Sequence, residues 1–310
     1  MNILVTGGTG FIGRWVVKKF LDKGHNVWII DNLENSTEEN ISEFKNHENL
    51  KQVMIASVID SKALSKLFHN KFDIILHLAA QINVQESLDN PNKAFNSNIV
   101  GTYKILKYAL KQRSKIVLMG TCMVYDLSTH EPINEKHPVK PLSPYAASKL
   151  AAENLAESFY HAYKLPVVII RPFNTYGPYQ KTNMEGGVIS IFVNQHLKNK
   201  TLNIYGDGTQ TRDLLYVEDC ADFIYLASTN ENAVGHIINA GSGKDISIND
   251  LAMSIEKNIN MIKHVPHIHP QAEISKLLCN AEKAKQLLGW EPKTSLKQGI
   301  EKMHEWLMTQ

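Results

Sequence analysis

Asn2-Ile3-Leu4-Val5-Thr6-Gly7-Gly8-Thr9-Gly10-Phe11-Ile12-Gly13 decides the fold of this chain. A short apolar run leads directly into spaced glycines, and a helix-length segment follows. Gly7, Gly10 and Gly13 fit G-x-x-G-x-x-G; Gly8, Gly10 and Gly13 also fit G-x-G-x-x-G. In either alignment glycine lets the backbone turn tightly after a strand. It also lets a pyrophosphate approach the amides at the next helix N-terminus. Asp31 follows Gly13 by eighteen positions and ends a second apolar run, Val27-Trp28-Ile29-Ile30. A carboxylate there accepts hydrogen bonds from ribose hydroxyls. It would repel a 2′-phosphate, so the pattern predicts NAD and disfavours NADP.

Working outward, residues 2–5, 27–30, 52–55, 73–77, 115–119 and 166–170 read as strands. They are almost continuously apolar, as strands of a parallel sheet buried on both faces must be. Helix-length segments lie between them, near 11–23, 37–46, 60–70, 91–112 and 144–163. This alternation implies right-handed βαβ units and an α/β fold with a doubly wound parallel sheet of Rossmann type. After Arg171 the alternation loosens. Residues 174–187 are rich in Gly, Asn, Thr and Tyr and read as a long loop. Segments 188–198, 218–229, 248–258, 280–288 and 295–307 then read as helices among short strands. The expected division is a dinucleotide-binding domain over 1–172 and a smaller C-terminal α/β substrate domain, mainly 173–310. Segments such as 212–240 are expected to return to the first domain.

Composition narrows the function. The chain has 310 residues, is 43% hydrophobic and carries a formal net charge of +2. That suits a soluble protein with a large core and gives no electrostatic case for nucleic acid or a membrane surface. No apolar run reaches the roughly 18 to 20 residues needed to cross a bilayer. The N-terminus enters a strand without a basic leader, so no signal peptide is expected. Cys122, Cys220 and Cys279 are few and far apart. This argues against a disulfide framework and for a reducing, cytoplasmic location. His264, His267 and His269 crowd one stretch, but Pro266 and Pro270 interrupt it and no carboxylate set accompanies it. No metal site is expected there.

A second motif carries chemistry. Tyr145 and Lys149, in Tyr145-Ala146-Ala147-Ser148-Lys149, fall four apart on a helix that starts at Pro144, hence on one face. A tyrosine with its ordinary pKa near 10 is a poor base at neutral pH. A lysine ammonium one turn away, with the positive charge of a bound nicotinamide, is expected to stabilise the tyrosinate. Beside the glycine motif, this pair points to reversible oxidation of an alcohol carbon.

With these motifs the chain resembles the extended short-chain dehydrogenase/reductases, in their nucleotide-sugar epimerase/dehydratase group. The resemblance spans essentially the whole chain. It is carried by Thr6–Gly13, Asp31, Asp60, His77-Leu78-Ala79-Ala80, Asn98-x-x-Gly101-Thr102, Thr121-x-x-Val124-Tyr125 and Tyr145-x-x-x-Lys149. Further matches are Arg171-Pro172-Phe173-Asn174-x-Tyr176-Gly177-Pro178, Gly206-Asp207-Gly208-x-x-x-Arg212-Asp213 and Leu288-Gly289-Trp290-x-Pro292. The resemblance implies that Gly7, Gly10, Phe11, Ile12 and Gly13 hold the pyrophosphate. Asp31 and Asn32 would meet the ribose, and Asp60 with Val58 the adenine. Leu78, Ala79 and Ala80 would line the cofactor. Thr121, Tyr145 and Lys149 would form the catalytic group, with Lys149 bridging the nicotinamide ribose. Asn174 and Val188 would contact the substrate, and Arg212 and Lys276 its diphosphate, where basic groups suit phosphate charge. Asn98 reads as structural support. The resemblance also implies a homodimer through the helices that bear Leu106, Leu110, Ala151, Leu155 and Phe159.

The implied reaction begins with oxidation at sugar C4 and passes through a 4-ketose. Returning the hydride to the opposite face of a rotated ketose gives a 4-epimer. A dehydratase needs a further acid and base, usually Asp-Glu after the catalytic Ser/Thr; here Cys122 and Met123 stand there. Met123 cannot transfer protons. A thiol at Cys122 can either relay a proton or simply pack. The leading expectation is therefore an NAD-dependent 4-epimerase of a UDP-hexose or UDP-N-acetylhexosamine. A dehydratase or 5,6-ene-processing enzyme using Cys122, a 4-reductase, and a non-catalytic nucleotide-binding protein are the alternatives.

Overall fold

A computed structural model describes residues 1–126, 132–182, 187–267 and 274–310. In chain order its strands are β1 (Asn2–Thr6), β2 (Asn26–Asp31), β3 (Leu50–Ile55), β4 (Ile74–His77), β5 (Lys115–Met119), β6 (Val167–Pro172), β7 (Asn174–Tyr176), β8 (Leu202–Tyr205), β9 (Thr211–Tyr216), β10 (Ile237–Ala240), β11 (Asp245–Ser247), β12 (Ile262–Val265) and β13 (Lys276–Leu277). The helices are α1 (Phe11–Asp22), α2 (Ser61–Leu67), α3 (Val84–Asp89), α4 (Pro91–Ala94), α5 (Gly101–Gln112), α6 (Pro144–Tyr163), α7 (Val188–Leu197), α8 (Val217–Thr229), α9 (Ile248–Ile255), α10 (Glu282–Leu288) and α11 (Leu296–Met308).

Seven strands form one sheet in the order β10-β6-β5-β4-β1-β2-β3, every neighbouring pair parallel. Successive side chains of a strand point to opposite faces, and both faces here are covered. Ile3 and Val5 join one apolar cluster with Val16, Val17 and Phe20 of α1 and Phe223 and Ile224 of α8. Leu4, between them, joins another with Ile105 and Leu106 of α5 and Ala152 and Ala156 of α6. That two-sided burial is why these strands read as unbroken apolar runs. Each fully buried Leu, Ile or Phe contributes roughly 1.5–3 kcal/mol of transfer free energy. Leu106 and Phe159, named above as dimer residues, are buried in the second cluster, and Leu110 and Leu155 pack against it. The exposed aromatics on α5 and α6 are Tyr103 and Tyr163.

Strand order reverses beside β1, with β2 on one side and β4 on the other. A parallel sheet opens a crevice at the carboxyl ends of its strands at such a point. The rest of the chain crowns that end. β9 pairs with β7, β11 and β13, and β8 with β12. A third apolar cluster, including Phe192, Leu251 and Met303, packs beneath them.

Four segments differ from the sequence reading. Residues 37–46 hold a 3₁₀ helix, Glu38–Phe44, rather than an α-helix. The single helix expected over 91–112 is α4 and α5 joined by a π-helical stretch, Phe95–Val100. α3 lies where no element was expected. The expected loop at 174–187 begins with strand β7, held by parallel pairing to β9. Among the described residues no helix is long and apolar enough to cross a membrane.

Candidate active site

A cleft of about 340 Å³ opens at the strand reversal, within the size range of small-ligand sites. Gly7, Gly10, Phe11, Ile12 and Gly13 line its floor, with Asp31, Asn32 and Val58 at one end and Leu78, Ala79 and Ala80 along the side. Thr121, Tyr145 and Lys149 close the other end. Residues far apart in sequence meet here because each directly follows a strand of the first sheet or begins a helix packed on it.

The floor is built for close backbone approach. A Cβ on Gly13 would run into the Gly7 carbonyl oxygen, so only glycine fits where α1 crosses the first turn. α1 starts after Gly10 with no side-chain cap and no acidic residue in its first turn. Its amides are left for an anion. Asp31 is 7% exposed. Its Oδ2 accepts from the Thr9 amide at 3.1 Å and its Oδ1 from the Leu33 amide at 2.9 Å. The Ser36 hydroxyl adds a bond to Oδ1 at 3.3 Å. The carboxylate is thereby aimed at the end of the cleft where a ribose would lie. A glycine floor, open helix amides and a fixed carboxylate fit an NAD dinucleotide.

Tyr145 is held from several directions. Ser143 caps α6 by accepting from the Ala146 amide at 3.2 Å, and Pro144 takes the first helical position, as favourable helix starts do. The Tyr145 amide donates to Ser87 Oγ of α3 at 3.1 Å. Its carbonyl accepts from Ser148 Oγ at 2.7 Å. Ser148 in turn accepts from Asn98 Nδ2 at 2.8 Å. Asn98 also bonds both the amide and the carbonyl of Gln81, at 2.8 and 3.1 Å. Asn98 therefore braces the site from the π-helical stretch without entering the cleft. Beneath, His77 contacts Thr6 Oγ1 at 2.8 Å and Thr102 Oγ1 at 3.0 Å. Burial, with the nearby Lys149 charge, pulls His77 down to about 3, so it is neutral.

The electrostatics of the Tyr145–Lys149 pair follow from its burial. Burial pushes the Tyr145 phenol up to about 12, and its hydrogen bond with Thr121 pulls the other way without prevailing. Burial also lowers Lys149 to about 8, with Glu153 opposing. The protein's own groups thus leave Tyr145 a neutral phenol at neutral pH, desolvation outweighing the Thr121 hydrogen bond. Cys122, directly after Thr121, is buried with its thiol pushed up to about 12, and the Arg212 charge opposes. It is a thiol, not a thiolate. All three cysteines are free and buried.

Several anticipated residues lie off the cleft wall. Asp60 is exposed and caps α2, accepting from the Lys62 amide at 2.8 Å and the Ala63 amide at 3.1 Å. Both cap bonds go to Oδ1, so the carboxylate starts a helix and keeps Oδ2 for another partner. Ser57, beside Val58, lines the cleft instead. Asn174 lies on β7, Arg212 on β9 and Lys276 on β13, one connected sheet. Asn174 Oδ1 is buried with no hydrogen-bond partner among the described residues. Arg212 Nη1 donates to the Thr211 and Ile274 carbonyls at 2.7 and 2.8 Å. Val188 begins α7 and packs against the third cluster, one residue past Gly187, which lines the cleft. His264 meets Asn249 Oδ1 at 3.0 Å and His267 lies 6.3 Å from the Tyr205 ring. His269 lies outside the described residues.

Other lining residues escaped the sequence reading. Tyr179, Gln180 and Lys181 reach the cleft from the segment after β7. Trp15 Nε1 donates to the Pro178 carbonyl at 3.3 Å, and the Arg14 guanidinium lies 3.7 Å from the centre of the Tyr179 ring. The segment is thus clamped to α1 by a buried cation–π contact. Glu34 lines the opposite rim and pairs with Lys93, which also pairs with Glu86. Arg14 and Lys93 look like ordinary surface cations in sequence, which is why they were not singled out.

Comparisons agree with this architecture. The family model described as GDP-mannose 4,6 dehydratase matches residues 4–303. A UDP-glucose 4-epimerase of Mycolicibacterium smegmatis is 34% identical over 310 residues, covering 99% of this chain and 98% of the relative. The X-ray structure of Pal from Bacillus thuringiensis superposes with a TM-score of 0.98 at 58% identity, covering 100% of this chain and 99% of the other. The Thermus thermophilus UDP-glucose 4-epimerase, solved in complex with NAD, gives a TM-score of 0.90 at 28% identity, with 99% of both chains covered. The chain belongs to the extended short-chain dehydrogenase/reductases, in the nucleotide-sugar epimerase/dehydratase family.

Proposed function

We propose that this protein is an NAD-dependent 4-epimerase of a UDP-hexose or UDP-N-acetylhexosamine, working through a 4-keto sugar. The observation that carries this reading is that Thr121, Tyr145 and Lys149 stand on the wall of the same cleft as the glycine floor and Asp31. Gly7, Gly10 and Gly13 would hold the pyrophosphate of NAD, Asp31 a ribose, and Lys149 the nicotinamide ribose. Bound there, NAD supplies a hydride acceptor at the sugar C4 and a positive charge beside Tyr145.

Ionised under that positive charge, Tyr145 as phenolate would take the proton of the sugar 4-hydroxyl through a hydrogen bond shared with Thr121, as the C4 hydrogen leaves with its electron pair. Tyr145 later returns that proton to O4 after the hydride has come back to the other face of C4. No net proton or electron is consumed. Asn174, with its unpartnered Oδ1, and Arg212 are the candidate contacts for the sugar and diphosphate. A homodimer through α5 and α6 belongs to this reading; light scattering giving a monomer mass would remove it.

Epimerisation is favoured over dehydration because no carboxylate follows Thr121. Met123 has no proton to transfer, and Cys122, held at about 12, is too weakly acidic to serve as a base for a C5 proton. A second reading has its own support. Cys122 stands next to Thr121 and close enough to Tyr145 to act on it, in place to relay a proton to a sugar where a dehydratase carries a carboxylate. A 5,6-ene-processing reaction after transient C4 oxidation would use such a relay.

The test is to incubate the pure protein with UDP-glucose, UDP-N-acetylglucosamine and UDP-glucuronate without added reductant. Products are read by mass spectrometry and NMR. Unchanged mass with inverted C4 is expected. Loss of one water would overturn the epimerase reading in favour of elimination.

A further inference from the structure

Glu153 and Arg171 take no part in the chemistry above, yet both are buried, with side chains 1% and 3% exposed. Arg171, on β6, grips the Glu153 carboxylate with two nitrogens. Nη2 donates to Oε2 at 2.6 Å, and Nε to Oε2 and Oε1 at 3.1 and 3.3 Å. The guanidinium lies 4.8 Å from the centre of the Tyr125 ring, whose hydroxyl donates to Asn239 Oδ1 at 2.7 Å. Glu153 follows Lys149 by one helical turn on α6, so the two share a face. On its other side the carboxylate abuts Gly120, where a Cβ would run into Oε1. Gly120 directly precedes Thr121. The carboxylate is therefore wedged between the strand end that carries Thr121 and the helix that carries Tyr145 and Lys149.

A buried ion pair adds little stability over an apolar pair of equal volume. Its position beneath the reacting groups gives it another use. We propose that Glu153, locked by Arg171, is a positioning residue that keeps Lys149 an ammonium and sets the charge felt by Tyr145. This rests on the roles of Tyr145 and Lys149 proposed above.

The surrounding charges can be named from each side. Glu153 faces Arg171 from β6 and Lys149 and Glu157 from its own helix. Lys149 faces Glu153 and the neutral His77 of β4. Tyr145 faces Thr121, Cys122 and Glu153. Burial lowers Lys149 and Glu153 opposes it. Burial raises Tyr145 and Glu153 adds to the rise. Removing the Glu153 charge therefore moves both groups the same way. Lys149 loses its proton at lower pH, and the Tyr145 phenol ionises at lower pH.

The experiment compares Glu153→Gln with the parent holoenzyme. It records the pH profile of kcat with the nucleotide sugar that the parent turns over. It also records a substrate-free ultraviolet titration of the phenolate, taken as the difference from the matching Tyr145→Phe protein. Both limbs of the profile, and the Tyr145 titration, are expected to move down by about one pH unit. Glu153→Asp, which keeps the charge, is expected to restore the parent's limbs. If Glu153→Gln does not fold, Glu153→Gln/Arg171→Met leaves no lone buried cation and carries the same measurement. A profile that only loses height, with limbs and phenolate titration unmoved, overturns the proposal. If the parent turns over no nucleotide sugar, the functional reading fails by itself, and the titration still decides the role of Glu153.

Discussion

The two ends of this molecule treat their functional residues differently. At the dinucleotide end, Gly7, Asp31, Ala79 and Thr121 each sit just past or at the end of a strand of one parallel sheet, and all line one cleft. At the end proposed for the sugar, Asn174, Arg212 and Lys276 sit on β7, β9 and β13, a small mixed sheet, and none of them lines that cleft wall. A parallel sheet delivers residues to its carboxyl edge by rule. A small sheet assembled from distant segments delivers them only through its particular pairings. Local motifs therefore report the placement of residues well at the first end and poorly at the second.

This contrast can be broken at its strongest point. Tyr145→Phe is expected to lower turnover about 100- to 10,000-fold, while NAD still binds by fluorescence titration. Retained turnover would remove the phenol from the chemistry. Gly13→Ala should follow in severity, because its Cβ meets the Gly7 carbonyl. Overpacking of this kind costs about 1–3 kcal/mol, and it should appear as loss of NAD affinity in calorimetry. At the sugar end, Arg212→Met is expected to raise KM for the nucleotide sugar about 10- to 100-fold, the worth of a charged hydrogen bond, and to change kcat less. An unchanged KM would detach β9 from the substrate. Cys122→Ala sharpens the choice of reaction: an epimerase keeps turnover close to the parent's, whereas proton donation by the thiol predicts its collapse. The smallest effect belongs to Asp60→Ala. A modest fall in melting temperature is expected, since this carboxylate caps α2; a loss of NAD affinity beside it would give the carboxylate its adenine contact as well.

Much of the fold was legible because two-sided burial forces near-continuous apolar strands, and the observed ranges fall within a residue or two of those runs. Other features lacked a local signal. α3 is a single polar stretch, Val84–Asp89, whose amphipathic pattern is too short to register. β7 has three residues and exists through its pairing with β9. Asp60 carried a cap signal, an acidic residue just before a helix, beside the ligand role that the family resemblance implies. Arg14 reads as a surface charge until Trp15, Phe44 and Tyr179 are found around it. The pair at Tyr145 and Lys149 was legible, whereas the Glu153–Arg171 contact beneath it joins segments that only the folded sheet brings together.

The position of β10 bears on how the protein is made. It forms the outer edge of the seven-stranded sheet and pairs with β6 through Ile237↔Ile169 and Ile238↔Ile170. A ribosome delivers β6 some seventy residues before its partner. Throughout that interval Val167–Ile170 present a bare hydrogen-bonding edge, the kind that recruits other chains. The nascent first half is thus exposed to mispairing until Ala240 has emerged. A fragment stopped at residue 172 should aggregate on synthesis, while one extended past 240 should be better protected.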